Sequence, residues 1–303
     1  VDWIADFLVN VRDYPVLAQV EPGALIDQLP KSGPEEGEPI EAIFEDFRRR
    51  IVPAITHWNH PRFFAYFSIS GSGPGILAEL FTAALNVNGM LWKSSPAVTE
   101  LEQVALDWLR QWVGLPEGFF GIIYDTASVV TVHAIAAARE MADPEIRNKG
   151  GVRGLRLYTS EQAHSSVEKG AIAVGVGREN VRKIGADAEF RMRTELLSQA
   201  IEEDLGAGMK PFCVVATVGT TSSASVDPVA EIAGIAEKYG LWMHIDAAYA
   251  GSSAILPERR WILEGAARAH SLVLNPHKWL LTPSDLSAFY TRRPDILRRA
   301  FTL

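Results

Sequence analysis

His244-Ile245-Asp246-Ala247-Ala248-Tyr249 places a carboxylate at the end of a short apolar run, residues 242–245, that reads as a buried strand. A second run, 271–274, leads in the same way into Asn275-Pro276-His277-Lys278-Trp279 and ends on an amine. Outward from these two stretches the same grammar repeats. Short apolar runs at 121–124, 155–159, 212–218 and 288–291 alternate with helical patterns at about 76–86, 97–113, 129–139, 193–205 and 229–238. Strand–helix alternation predicts an α/β fold, a mainly parallel or mixed sheet with helices on both faces. Ligands of such sheets sit beyond the carboxyl ends of the strands. Asp246, Thr217, Asn275 and Lys278 all fall at such ends.

The bounds from composition agree with a globular protein. The chain has 303 residues, 48% of them hydrophobic and 22% charged. That length buries a large core without staples. A formal charge of −8 and the lack of any basic run argue against nucleic acid or an anionic membrane as partner. No apolar run reaches the length of a membrane span. Cys213 is the only cysteine and lies in an apolar run, so it reads as a buried, inert thiol. A reducing, cytoplasmic setting is the expectation.

Residues 1–74 read as a helical arm and 75–303 as the large domain. Trp3, Ile4, Phe7, Leu8 and Val11 follow helical spacing, with Asp2 and Asp6 among them, which is no signal peptide. A second helix is predicted from about 40 to 51, ending near Pro53, after a solvated loop over 31–39. Such an arm cannot bury its own core and is expected to wrap a larger body, that of a second subunit included. The chain opens on Val1, which suggests a missing or processed start.

Each candidate site residue has a plain reading and a chemical one. Asp125-Thr126-Ala127-Ser128 follows a strand and opens a helix. It is a simple N-cap, or an anion site built from backbone N–H groups and the helix dipole. A buried Asp246 needs a partner, either an arginine or a protonated ring nitrogen. Lys278 is a surface lysine, or a desolvated amine with nucleophilic character. His164, in Gln162-Ala163-His164-Ser165-Ser166-Val167-Glu168, is a capping or core histidine, or a flat ring stacked over another. The aromatic segment 56–67 is a core cluster, or contains the walls of a pocket for a flat side chain. His57 and His60 lack companions for a metal site. Taken together, the amine, the carboxylate, the anion loop and the histidine point to pyridoxal phosphate. That cofactor needs a lysine for its aldehyde and an acid facing its ring nitrogen.

These residues carry a resemblance. The chain is similar, from near residue 1 to 303, to the pyridoxal-phosphate-dependent group II decarboxylases, and within them to the aromatic-L-amino-acid decarboxylase branch. The matching blocks are 60–67, Ser95-Pro96-Ala97-Val98-Thr99-Glu100-Leu101-Glu102, 163–168, Ala216-Thr217-Val218-Gly219-Thr220-Thr221, 244–251 and 275–280. The resemblance implies fold type I of the pyridoxal-phosphate enzymes and an intertwined homodimer with the arm packed on its partner. It makes Lys278 the Schiff-base lysine, Asp246 the ring-nitrogen partner, His164 the stacking histidine and Ala248 its counterpart on the opposite ring face. Thr126, Ala127, Ser128, Asn275 and His277 match the phosphate side, and Thr221 a site-lining threonine. Trp58, Tyr66, Phe67, Asn88 and Met90 match substrate-pocket positions. Asn88 and Met90 replace more apolar residues, Leu286 stands where cysteine is frequent, and the sequence stops before the family's catalytic-tyrosine loop and small C-terminal domain. Phe301 and Leu303 are accordingly expected to be exposed.

The reaction so implied is decarboxylation of an aromatic L-amino acid to its amine and carbon dioxide. The rivals are an aldehyde-forming relative, a glutamate-type decarboxylase, and a catalytically silent dimer-forming module that only holds the cofactor.

Overall fold

A computed structural model describes residues 1–67, 69, 71–150 and 154–302. Two compact units divide it, Val1–Ile69 and Ser70–Leu303. In the second, seven strands form one mixed sheet: β1 (Phe120–Tyr124), β2 (Leu155–Ser160), β3 (Val181–Ile184), β4 (Lys210–Thr217), β5 (Trp242–Asp246), β6 (Ser271–Leu274) and β7 (Ser287–Thr291). Their order is β1-β7-β6-β5-β4-β2-β3. Only β7 runs antiparallel to its neighbours. The registers set Thr217 opposite Asp246, Asp246 opposite Val273, and Tyr124 opposite Ser287. The carboxyl ends of β1, β2, β4, β5 and β6 therefore share one edge with the amino end of β7.

The interior strands β2, β4, β5, β6 and β7 are largely buried on both faces, as their apolar runs require. The period of two divides β5 cleanly. Met243 and Ile245 pack with Leu106 of α4 (Pro96–Trp112), Leu197 and Ile201 of α8 (Thr194–Gly206) and Ile232 of α9 (Val229–Tyr239). Trp242 packs on the other face with Val130, Ala134 and Ile135 of α5 (Ala127–Ala142), Val167 of α7 (Ser166–Ala173) and Ile296 of α11 (Pro294–Phe301). His244 and Asp246 share the parity of Trp242 and so face α5. Ala134, Ala136, Ala137 and Ala138 are all buried, which lets α5 lie close against the sheet. Cys213 is fully buried, and burial pushes its thiol well up, as an inert thiol requires.

Several boundaries differ from the sequence reading. The helix expected from 76 is α3 (Gly73–Leu85): Pro74 fits a first turn, and Ser72 Oγ caps it by accepting from Gly75 N at 3.2 Å. The strand β3 went unpredicted. Between α5 and β2 lies a four-residue helix, α6 (Ile146–Lys149).

In the first unit, α1 (Asp2–Val9) and α2 (Ile40–Asp46) contribute no buried residue. Trp3 stacks on Phe7 at 5.4 Å and meets Phe44 and Phe47 edge-on. The helix expected to run to 51 is α-helical only to Asp46; Phe47–Ile51 widens into a π turn. Pro53 explains this, since it lacks an N–H and its ring clashes with the carbonyl four residues back. Phe301 is 54% exposed, while Leu303 lies outside the described residues.

Candidate active site

The shared strand edge collects the predicted residues of the large unit. Asp246 is the last residue of β5 and is buried. Its Oδ1 accepts from Ala248 N at 3.2 Å, so Asp246 and Ala248 form one tight turn. Lys278 lies beyond β6 in a one-turn helix, α10 (Pro276–Trp279), which Pro276 starts. Its side chain is half-buried. Burial lowers its pKa, and the charge of Asp246 works against that shift. Lys278 and Asp246 thus lie at the ends of adjacent strands, β6 and β5.

A second group gathers around Asn275 and His277, both buried. Leu286 N donates to His277 Nδ1 at 2.9 Å, which leaves Nε2 to carry the proton of the neutral ring. Burial, then the charge of Lys278, lowers the His277 pKa, so the neutral ring is favoured. The Asn275 amide lies 3.4 Å from His277 Nε2. Ser287 Oγ lies 2.9 Å from Asn275 Oδ1 and 3.4 Å from the Asp125 carbonyl. Ser287 thus donates to Asn275 Oδ1 and sets Asn275 beside the loop that opens α5. Sequence reasoning missed Ser287, because a serine at a strand start carries no signature of its own.

In that loop the cap reading holds: Thr126 Oγ1 accepts from Val129 N at 3.3 Å. Capping by Thr126 leaves the N–H groups of Ala127 and Ser128 in the first turn, where an anion is favoured. Ser128 is exposed and Ala127 half-buried. His164 lies between β2 and α7 and is exposed. Its Nδ1 accepts from Ser166 N at 3.2 Å, so its proton sits on Nε2. Thr221 is exposed in the turn after β4. Its neighbour Gly219 has φ +89°, and a Cβ there would lie 2.7 Å from Ala250 N; only glycine closes this turn against the β5 turn.

Asp227 was also missed. It is buried, and its two oxygens accept from Met192 N at 2.7 Å and Thr217 N at 2.8 Å. It fixes the end of β4 beside Asp246.

The residues expected to wall a substrate pocket fall in both units. In the first, Trp58 stacks on Phe63 at 4.9 Å and Tyr66 at 5.4 Å and meets Phe67 at 5.6 Å. Tyr66 is exposed and has φ +55°. In the second, Asn88 and Met90 are exposed after α3, and Met90 N donates to Asn88 Oδ1 at 2.9 Å. Among the described residues no group of three or more His, Cys, Asp or Glu side chains could hold a metal ion.

The donor set suits pyridoxal phosphate. It offers an amine, a buried carboxylate beside it, and a helix N-terminus joined to a donating histidine. Two polar atoms on the α5 side of the sheet, Thr217 Oγ1 and His244 Nε2, are buried without a hydrogen-bond partner among the described residues. Both flank Asp246, in register and along the strand. A polar group bound at Asp246 would relieve that arrangement.

Known proteins point the same way. Residues 22–303 match the pyridoxal-dependent decarboxylase conserved domain. Aromatic-L-amino-acid decarboxylase of Bos taurus is 43% identical over the whole chain, which spans 65% of that protein. Phenylacetaldehyde synthase of Arabidopsis thaliana is 40% identical, again over the whole chain and 63% of its own length. Tryptophan decarboxylase of Catharanthus roseus, solved with L-tryptophan, superposes on the whole chain and 66% of its own with a TM-score of 0.95 and 39% identity. A rice (Oryza sativa) TDC solved with PLP and tryptamine gives 0.96 and 38%, covering the whole chain and 64% of that protein. On fold, site and relatives together, the chain belongs to the pyridoxal-dependent decarboxylase family.

Proposed function

We propose that this protein decarboxylates an aromatic L-amino acid to its amine and carbon dioxide with pyridoxal phosphate. The observation that carries the reading is the placement of Asp246 at the end of β5 and Lys278 just beyond its neighbour β6, both at the carboxyl edge of the sheet. When bound, the cofactor supplies an electron sink for the pair released as the carboxylate leaves.

The chain's own residues do the rest. Lys278 provides the amine that holds the cofactor's aldehyde carbon, and burial raises its neutral, nucleophilic fraction. Asp246 holds the proton on the ring nitrogen and so keeps the ring cationic. Ala248 and His164 would hold the ring between them. Thr126, Ala127, Ser128, Asn275 and His277 bind the phosphate, with the Nε2–H of His277 as a donor. Thr221 lines the site. Trp58, Tyr66 and Phe67 give the first unit an aromatic face suited to a flat apolar side chain, and Asn88 and Met90 are the substrate contacts proposed in the second. The working form is a cytoplasmic homodimer. Its support is the lone buried cysteine and the apolar faces of α3 and α4, where Phe81, Leu85, Leu101 and Trp108 are exposed. No helix among the described residues is long and apolar enough to cross a membrane.

Borohydride reduction of the cofactor-loaded protein, followed by peptide mapping, tests the anchor. The label should fall on Lys278; a label on Lys169, Lys183 or Lys210 would refute the assignment. Amine release should then be compared across tryptophan, tyrosine, phenylalanine, dihydroxyphenylalanine, glutamate and lysine. A clear preference for glutamate or lysine would reject the aromatic pocket. The 40% identity to a phenylacetaldehyde synthase makes aldehyde the second product to measure, and aldehyde in place of amine would assign the chain to that reaction.

A further inference from the structure

Behind Asp246, on the same face of the sheet, two side chains of β5 and one of β6 form a chain of hydrogen bonds. Trp242 Nε1 donates to Ser271 Oγ at 3.0 Å. Ser271 Oγ lies 2.9 Å from His244 Nδ1. All three residues are fully buried, and β6 sets Ser271 directly opposite His244. An indole N–H can only donate, so it occupies one lone pair of Ser271 Oγ. No other acceptor for the Ser271 hydroxyl proton appears among the hydrogen bonds of the described residues. The arrangement is satisfied throughout when Ser271 donates to His244 Nδ1. That choice fixes the histidine as the Nε2–H tautomer.

The fixed donor then stands without a partner. His244 Nε2 is buried and makes no hydrogen bond among the described residues. Burial drives the ring strongly towards its neutral form, and the negative charge of Asp246, two residues along the strand, opposes this. A buried N–H left unpaired is costly, and a buried carboxylate needs donors. Asp246 receives one from Ala248 N.

We propose that His244 is a positioning residue for Asp246: the Trp242–Ser271–His244 relay holds an Nε2–H donor that steadies the carboxylate from behind across one bridging water, while its front face meets the cofactor. The proposal rests on the assignment of Asp246 to the ring nitrogen. Without that donor Asp246 becomes a stronger base and draws the proton from the ring. The ring is then less cationic, and the lysine-bound nitrogen of the cofactor is easier to protonate.

The test has two arms. In the cofactor-free protein, nitrogen-15 NMR of the histidine side chains should show His244 as the Nε2–H tautomer, with S271A mixing the tautomers and D246N shifting the Nε2 signal. In the cofactor-loaded protein, H244F should move the pH midpoint of the cofactor's visible band upward by about one unit. It should also lower turnover about tenfold or more, with KM changed far less, as expected for a lost hydrogen bond to a charged group. H244Q, which retains an N–H donor, should restore most of the midpoint. An Nδ1–H tautomer, an Nε2 signal indifferent to D246N, or an H244F midpoint equal to that of the unaltered protein would overturn the proposal. If the unaltered protein fails to take up pyridoxal phosphate, the cofactor reading falls, and the NMR arm still decides whether His244 serves Asp246.

Discussion

Burial drives Lys278 toward the neutral amine, and the Asp246 carboxylate pulls it back. Substituting Asp246→Asn removes that pull and the ring-nitrogen partner together. Turnover should fall by more than the roughly tenfold to hundredfold of one charge-assisted bond, with the fold retained by circular dichroism. Near-normal turnover would refute the electron-sink role. Asp227 makes a different demand, since two backbone N–H groups point at its two oxygens. In Asp227→Asn one of them meets an amide NH2 instead. Urea unfolding at neutral pH should show a loss of about 1–3 kcal/mol, and an unchanged midpoint would show that the pair of bonds is dispensable. The two aspartates also mark what a sequence reveals. Asp246 was legible because it ends an apolar run and has Lys278 as its chemical counterpart. Asp227 sits before a proline in a loop, and its donors, Met192 and Thr217, come from elements that only folding brings together.

At the scale of elements, the six strands read from the sequence are apolar, and the one that was missed is not. β3 is Val-Arg-Lys-Ile at the sheet edge, where Arg182 pairs with Asp204 at 3.1 Å and Lys183 with Glu168 at 2.8 Å. Charges on an edge strand prevent further pairing and also hide the strand's apolar pattern. The strand β5 and the β6 entry carry a pH dependence. Burial lowers His244 and His270 from 6.5 to about 4. His270 Nδ1 accepts from Met243 N at 3.1 Å, a bond that a proton on Nδ1 would break. A depressed pKa contributes stability that is complete above the unfolded value and is lost as pH falls through the folded one. Asp227 acts in the opposite sense, because burial raises it from 3.8 to about 6, so the fold gains from it as pH falls through that range. Two histidines oppose one aspartate, and the net expectation is weaker stability at pH 5 than at pH 7.5 in urea titrations. His270→Gln, which cannot titrate, should flatten the dependence; an unchanged slope would remove His270 from the account. The turn between β4 and β5 has its own test. Gly219→Ala forces a side chain onto Ala250 at a positive φ, so it should destabilise the fold and weaken cofactor uptake, measured by unfolding and by cofactor absorbance.

For the whole molecule, α3 and α4 display Leu77, Phe81, Leu85, Leu101, Trp108 and Trp112 to solvent within the single chain. In the homodimer proposed above, this apolar surface is the expected association face. Replacing Leu101 and Trp108 together by glutamate should convert a dimer into monomers in sedimentation; a dimer that survives would place its interface elsewhere. The fold class was legible because each strand and helix announces itself locally. How β1 joins the sheet was not, since its partner β7 lies far along the chain. Their pairing sets Tyr124 against Ser287, and Ser287 also ties Asn275 to the Asp125 loop. During synthesis, β1 leaves the ribosome long before β7 exists, and the phosphate side stays unassembled until residues near 290 emerge. The nascent chain therefore lacks the joined Tyr124, Asp125, Asn275 and Ser287 arrangement until β7 pairs with β1. That pairing of distant segments makes the last closure of the sheet a high-contact-order, and so slow, step.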